Sequence, residues 1–397
     1  MIRIDKIDIK DKRVLIRADF NVPISNGKIT SDFRIIKTLE TIKYCLDNNA
    51  KIILMSHLGR PKGKAEDFSL FPIYKYLKSF FNDNNVFFSK NCISENSIHL
   101  SENMANKDIH ILENLRFHDA ELSNLDSFSK KLSMHGDIYI NEAFGTSHRR
   151  HASNASILKF FKIKGIGFLL DLELRYLSNL NLKSNQNLSI VLGGAKVSSK
   201  LGIIKYFLDK VDSILIGGGM SYTFLKSKGI EIGKSLLEES MLEEAAFVLN
   251  RAKEYNTKIL LPSDVLCSSS PDDISSISMK NIKDIDIDEM GVDIGPETID
   301  SFSKEISRSD YVIWNGPMGI FEVPDFSKGT IEIAKHIAKH TIKKPANSII
   351  GGGDTASAII NLNMQSEFTH VSTGGGASLK LLSGNKLELI KSWEDYE

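Results

Sequence analysis

Cysteine is scarce, with three in 397 residues. Cys45, Cys92 and Cys267 lie far apart, so they form neither a metal-ligand spacing nor a disulfide framework. Such use of cysteine fits a reducing, cytoplasmic compartment. Surplus charge is also missing, because Lys+Arg 50 balances Asp+Glu 50. That balance excludes binding of nucleic acid or a membrane surface by bulk charge, but it leaves room for a local basic cleft. No apolar run reaches the roughly 18 residues of a spanning helix. The stretch Met1-Ile2-Arg3-Ile4-Asp5-Lys6 alternates charge with isoleucine and has no signal-peptide character. What is present is an ordinary globular composition, 42% hydrophobic. At about 150 residues per domain the length suits two or three domains.

A unit recurs along the chain, in which a short apolar run ends in a polar or glycine-rich cluster and a helical pattern follows. Runs at 13–17, 51–56, 109–112 and 137–140 occupy the first half, and runs at 188–192, 213–216, 311–314 and 348–350 the second. Four to six residues rich in Ile and Val read as strands buried on both faces of a parallel sheet. Their alternation with helical segments such as 235–255 indicates right-handed βαβ units, hence an α/β fold. Arginine and histidine follow the early strands and glycine the later ones, which marks two domains. Leu170, Leu174 and Leu177 share a helical stripe, placing a connecting helix between the halves. The Ser- and Asp-rich stretch 268–288 reads as loops or an irregular hairpin.

The glycine clusters are Gly193-Gly194, Gly217–Gly219, Gly351–Gly353 and Gly374–Gly376. Glycine lets backbone N–H groups approach an anion, and a following helix adds its positive end. A single cluster reads better as a tight turn. Several on one sheet edge suit a phosphate-rich ligand. Asp354 beside such a turn would repel phosphate unless a cation intervenes, which points to Mg²⁺; a plain helix N-cap is the other reading. Lys196 and Lys200 stand four positions apart after Gly194, which puts both on one face of a helix start where a polyanion would relieve their repulsion. Residues 229–235 have one residue too few between their glycines for a P-loop. Gly351-Gly352-Gly353-Asp354-Thr355-Ala356 fits G-x-G-x-x-A, but the acidic residue a dinucleotide fold needs about 20 positions on is missing at Val371-Ser372-Thr373. An NAD-dependent dehydrogenase therefore rests on one match.

Early strand ends carry Asp19 and Asn21, His57 and Arg60, Arg116, and Arg149, with Arg34 after the first loop. Each arginine alone suits a surface ion pair. Together on parallel-strand ends they suit an acidic small molecule, since guanidinium forks match phosphate and carboxylate. Two anion sites, one in each domain, suit phosphoryl transfer.

The motifs RADFNVP from Arg17, SHLGRP from Ser56, LENLRF from Leu112, NEAFGTSHR from Asn141, VLGGAKVSSKLG from Val191, IGGGMSYTFL from Ile216, DIGPETI from Asp293, VIWNGPMGIFE from Val312, GGGDTASA from Gly351 and STGGGASL from Ser372 resemble, in order, those of the phosphoglycerate kinases. The resemblance covers nearly the whole chain. It implies reversible transfer from 1,3-bisphosphoglycerate to MgADP, giving 3-phosphoglycerate and MgATP in glycolysis. It implies a cytoplasmic monomer with no nucleic acid or membrane partner. It also implies two doubly wound, Rossmann-like domains with a hinged cleft: 1–168 for phosphoglycerate, a helix at 169–183, 184–376 for nucleotide, and a tail, 377–397, returning to the first domain. By resemblance, Asp19, Asn21, Arg34, His57, Arg60, Arg116 and Arg149 bind phosphoglycerate. Lys200, Gly291, Asn315, Glu322, Gly351, Gly352, Gly353, Asp354 and Thr355 match nucleotide positions. Asp354 would meet Mg²⁺, and Arg34, Lys196, Lys200 and Gly375 would stabilise the moving phosphoryl group. A non-catalytic nucleotide-binding scaffold is a further alternative. Two departures from the family pattern stand out: Arg150, where a small residue is usual, and a tail without the usual Pro-Gly turn.

Overall fold

The computed structural model describes residues 1–178, 186–344 and 346–396. The chain divides into two compact units, Met1–Leu177 with Lys386–Glu397, and Ser178–Asn385. The first unit is built on a six-stranded sheet in the spatial order Val86–Ser89, Ile109–Leu112, Lys51–Met55, Arg13–Arg17, Ile138–Asn141, Ile163–Ile166. Every neighbouring pair is parallel. The chain winds outward from Arg13–Arg17 in one direction and then crosses to its other side at Ile138–Asn141. Their shared carboxyl edge is where an open α/β sheet presents its ligand crevice. Val14, Ile16, Ile52, Leu54, Ile138 and Ile140 build one core layer with the helix Phe33–Asp47.

The second unit has its own parallel sheet, ordered Lys258–Leu260, Ser213–Ile216, Leu188–Leu192, Tyr311–Asn315, Asn347–Gly351, His370–Val371. This is the doubly wound order of dinucleotide-type sheets, reversing between Leu188–Leu192 and Tyr311–Asn315. At that reversal the loops leaving the two strands run against each other. Gly193 N–H donates to Asn315 O at 3.0 Å and Gly194 N–H to Pro317 O at 2.8 Å. A Cβ on Gly193 would lie 2.1 Å from Pro317 O, so only glycine permits the crossing. An antiparallel three-stranded sheet, Ser278–Asn281, Asp264–Ser268, Met290–Ile294, is added to this unit.

All eight runs read as strands lie in the two parallel sheets. Four boundaries need correction. The helix expected over 235–255 begins at Leu242: residues 235–238 are irregular and Glu239–Met241 form a single 3-10 turn before it. The connecting helix is Phe168–Ser178, belongs almost wholly to the first unit, and residues 179–183 of the expected span lie outside the described residues. Its attachment has a clear cause. Buried Glu142 accepts hydrogen bonds from Leu169 N–H and Leu170 N–H, both at 3.0 Å, and from the Thr41 hydroxyl, while Thr41 Oγ1 accepts from Phe168 N–H at 3.0 Å. Three orphan donors of the helix start are thus satisfied by the sheet unit. The returning tail starts at Lys386 instead of residue 377, since the helix Gly375–Leu382 packs in the second unit through Ala377, Leu381 and Leu382. The last helix, Glu388–Asp395, buries Leu389 and Trp393, and Leu389 N–H donates to Ser147 O at 3.0 Å. Docking therefore proceeds without a Pro-Gly turn. Finally, residues 193–200 form turns and the next helix starts at Leu201. Gly194, at φ 88°, breaks the path, so Lys196 and Lys200 do not share a helical face.

Beside the sheet, a buried chain of polar groups fixes the protons of two histidines. His135 Nε2 lies 3.0 Å from Cys92 O, which only accepts, so this nitrogen carries the proton. His135 Nδ1 then accepts from Ser101 Oγ at 2.7 Å. With its one proton used, Ser101 Oγ accepts from His110 Nδ1 at 2.8 Å, and His110 Nε2 accepts from Ser89 Oγ at 2.7 Å. Burial pulls His110 down to about 3 and His135 down to about 4. A lowered histidine contributes stability above its unfolded value that is lost as pH falls toward the folded one. Buried Glu142, raised to about 7 by burial, titrates in the opposite sense, so the test is a comparison. Between pH 7.5 and 5 the wild type should lose on the order of 2 kcal/mol more stability than His135→Gln. Equal pH slopes in urea denaturation would show that His135 is not held neutral.

Candidate active site

The first unit gathers positive charge at its carboxyl edge. Arg17, the last residue of its strand, is fully buried. Its Nε donates to Ser153 Oγ at 2.9 Å, its Nη1 to Ala18 O, and its Nη2 to His57 Nδ1 at 3.2 Å. Ser153 Oγ in turn donates to buried Glu121 at 2.6 Å. A guanidinium has no acceptor, so His57 Nδ1 is unprotonated and Nε2 carries the proton. Asp19 Oδ2 lies 3.6 Å from Arg34 Nη1, and Asp19 Oδ1 lies 3.8 Å from His57 Nδ1. Arg34 Nη1 also donates to Asn21 O at 2.7 Å, and Asn21 Oδ1 accepts from Gly59 N–H at 2.8 Å. Arg116 donates through Nη1 to Gly59 O, while its Nε and Nη2 are buried with no hydrogen-bond partner.

The electrostatics confirm that these side chains converge. Burial, followed by Arg17, Arg116, Arg149 and Arg34, holds His57 well below the ordinary histidine range. Burial pulls Arg116 down to about 10, with Arg149 and Arg17 adding to the effect. Arg149 is lowered by burial and then by Arg60. The structure thus brings Asp19, Asn21, Arg34, His57, Arg60, Arg116 and Arg149 into one neighbourhood. Arg150 is exposed. Sequence reasoning left Arg17, Ser153 and Glu121 out of the site. The position of Arg17 at a strand end beside Asp19 was the available signal, whereas Glu121 on a separate short helix had none.

The second unit builds a different site. Lys200 Nζ donates to Asn315 Oδ1, and Asn315 Nδ2 is buried without a partner. Gly351 and Gly352 lie against this amide, where a Cβ on either would stand 3.1 Å from it. Gly352, at φ 91°, turns the chain into the helix Gly353–Asn361, and Thr355 Oγ1 accepts from Gly316 N–H at 2.6 Å. A Cβ on Gly375 would lie 3.4 Å from Gly353 N, so the start of the helix Gly375–Leu382 abuts the first. Neither helix start carries a side-chain cap. Paired, uncapped starts offer N–H groups and dipole ends to an anion.

Exposed Asp354 lies near enough to raise the affinity of Lys200 for its proton. It also lines a cavity of about 210 Å³ together with Gly291 and Glu322. Tyr222, Leu236 and Met318 supply apolar wall that the sequence reading did not name. A Cβ on Gly291 would strike the Tyr222 hydroxyl, so the glycine makes space for the aromatic ring. Lys196 is exposed, and its charge acts on Glu238. An exposed hard-oxygen donor at an open glycine turn fits Mg²⁺ shared with phosphate oxygens. Among the described residues no group of three or more His, Cys, Asp or Glu side chains could hold a metal alone.

The profile of the family described as phosphoglycerate kinase matches residues 4–385. The chain belongs to the phosphoglycerate kinase family. It is 46% identical over 389 residues to the phosphoglycerate kinase of Dictyoglomus turgidum, covering 98% of this chain and 97% of that protein. It is likewise 46% identical over 383 residues to that of Finegoldia magna, covering 96% of each. The solved phosphoglycerate kinase of Coxiella burnetii superposes with a TM-score of 0.84 at 35% identity, over 99% of this chain and 98% of that one. That of Pyrococcus horikoshii gives 0.86 at 27% identity over the same shares, 99% and 98%.

Burial pulls Lys200 down to about 8. Its positive charge is therefore complete below that pH and lost above it. Affinity of this unit for inorganic triphosphate should fall as pH rises through about 8, and Lys200→Arg should remove that step, because arginine stays charged. Calorimetric titrations between pH 7 and 9.5 that showed the same step in both proteins would reject Lys200 as its source.

Proposed function

We propose that the first unit holds phosphoglycerate and its acyl phosphate, and that the second holds the nucleotide. The chain is a phosphotransferase and a kinase of glycolysis, as its family membership gives. The observation that best supports the division of roles is the pair of buried, unpartnered Arg116 donors amid arginines that outnumber the local carboxylates. Buried cationic donors without partners are costly unless an anion completes them. Arg60, Arg116 and Arg149 then take the phosphate and carboxylate of the substrate, with His57 donating from Nε2. Asp19 and Asn21 orient Arg34 and the Gly59 turn.

On the nucleotide side, the N–H groups at Gly353 and Gly375 and the Lys200 ammonium meet phosphate oxygens. Glu322 accepts from the ribose hydroxyls, and Tyr222 and Leu236 pack against the base. Asp354 would hold Mg²⁺, which supplies neutralisation of phosphate charge when bound. The acyl-oxygen-to-phosphorus bond breaks as the bond from the terminal phosphate oxygen of ADP forms, and the accepting oxygen is already ionised, so no general base is needed. Arg34 and Lys200 stabilise the charge on the equatorial oxygens. Lys196 shares that role only if the loop 193–200 rearranges around a ligand. Donor and acceptor are held by different units, so transfer requires both ligands to meet in line.

Incubation with 3-phosphoglycerate and MgATP should release ADP at a rate far above that with either substrate alone. Absence of turnover would overturn the reading. Replacing Arg34 with alanine should lower turnover at least about 10³-fold in a folded protein, the scale of a transition-state arginine. Wild-type turnover in Arg34→Ala, with folding confirmed by circular dichroism, would remove Arg34 from that role.

A further inference from the structure

The second unit contains a larger cavity, about 500 Å³, that plays no part in the site above. Its floor is apolar, formed by Leu225, Leu249, Ile259, Leu261 and Ile282. These residues come from two helices, a strand and the segments around the small antiparallel sheet. Lys228, Lys253 and Lys283 line the same cavity, each from a different segment, and no Asp or Glu lines it. In a chain with 50 basic and 50 acidic residues, a cavity with three lysines and no carboxylate is a local excess of one sign. None of the three makes an ion pair among the described residues. The two hydroxyls of the lining are already committed: Ser227 donates to Phe224 O at 2.8 Å and Thr257 to Leu208 O at 2.6 Å. Free polar capacity therefore lies with the three ammonium groups and the Asn250 amide, and all the charge among these groups is positive.

We propose that this cavity binds a free single-chain amphipathic carboxylate, its alkyl body on the apolar floor and its head among Lys228, Lys253 and Lys283. Volume favours a small molecule over a macromolecular partner, since small-molecule sites occupy about 300–1,000 Å³ and combine apolar walls with a few convergent polar groups. Charge selects an anionic head. Flexible lysine stems follow the apolar wall while their ammonium groups stay at the rim, which suits a carboxylate at the mouth of the cavity.

One risk is that an amphipathic probe enters the nucleotide cavity instead. The helix Met220–Ser227 supplies Leu225 to this cavity and Tyr222 to the other. Calorimetry with dodecanoate, kept below its micelle concentration, is therefore run with saturating MgADP. The expected result is one saturable site per chain, at least tenfold weaker in the triple variant Lys228→Ala, Lys253→Ala, Lys283→Ala, and abolished by Ala246→Phe, which fills the cavity. Dodecyltrimethylammonium should bind at least tenfold more weakly than dodecanoate. Kinase turnover in the lysine variant should equal that of the wild type, which keeps this proposal separable from the functional reading. No saturable binding, binding displaced by MgADP, equal affinity in the lysine variant, equal affinity for the cationic probe, or capture only by anionic lipid vesicles would each overturn it.

Discussion

Arg17 carries a full positive charge at zero exposure, and it is held there by a relay instead of a direct ion pair: guanidinium to Ser153, Ser153 to Glu121. Removing such a charge from water costs several kcal/mol unless its donors are met. The relay meets them while leaving the carboxylate behind the serine, away from the His57 side. As a result His57 receives a hydrogen bond from Arg17, and burial together with the surrounding arginines keeps it neutral although Asp19 lies 3.8 Å away. The arginines around it remain in excess over carboxylates. The first unit thus uses scaffold interactions to keep positive charge uncompensated, and the burial of Arg116 with two idle donors belongs to the same arrangement. The tail belongs to this scaffold as well, because Leu389 bonds to Ser147, two residues before Arg149.

The interior of both sheets was legible and their edges were not. The eight apolar runs identified from the sequence are the four central strands of each sheet, where burial on both faces demands unbroken Ile, Val and Leu. The four strands left unread, Val86–Ser89, Ile163–Ile166, Lys258–Leu260 and His370–Val371, are the outermost strands of the two sheets. One face of an edge strand meets solvent or a helix end, so Lys164, Lys258 or Ser89 is tolerated there and the pattern blurs. Asp19, Asn21, His57, Arg60 and Arg116 were legible as one group because each follows within a few residues of a central strand, whereas Arg34, on the helix Phe33–Asp47, and Arg149, eight residues past Asn141, reach the same neighbourhood through tertiary folding. Arg17 was visible but looked like any strand-end arginine. Its partner Glu121 arrives through tertiary folding on a separate helix, and local pattern carries no trace of that.

The lysine pair shows where spacing misleads. A separation of four implies one helical face only if the backbone is helical, and Gly194 with its positive φ directs the chain into turns before Leu201. Lys200 is then drawn inward to Asn315 while Lys196 stays in water. Burial makes Lys200 titratable near neutrality, a consequence that exposure would have prevented. The two units therefore present different groups to an anion. The first uses arginines, whose charge survives burial at physiological pH even when lowered. The second relies mainly on backbone N–H groups at Gly353 and Gly375, whose dipoles need no proton, and adds a single lysine. Glycine serves there for proximity as well as conformation: Asn315 crowds a side chain at Gly351 or Gly352, and Tyr222 leaves no room for one at Gly291. A site made of backbone can hold the polyphosphate of a nucleotide while its cavity wall accepts an uncharged base. A site made of guanidinium groups suits a small ligand that is anionic at both ends. On the proposed division of roles, the difference between glycine-ended and arginine-ended strands is the chemical difference between the two substrates, written at the same place in two sheets of similar winding.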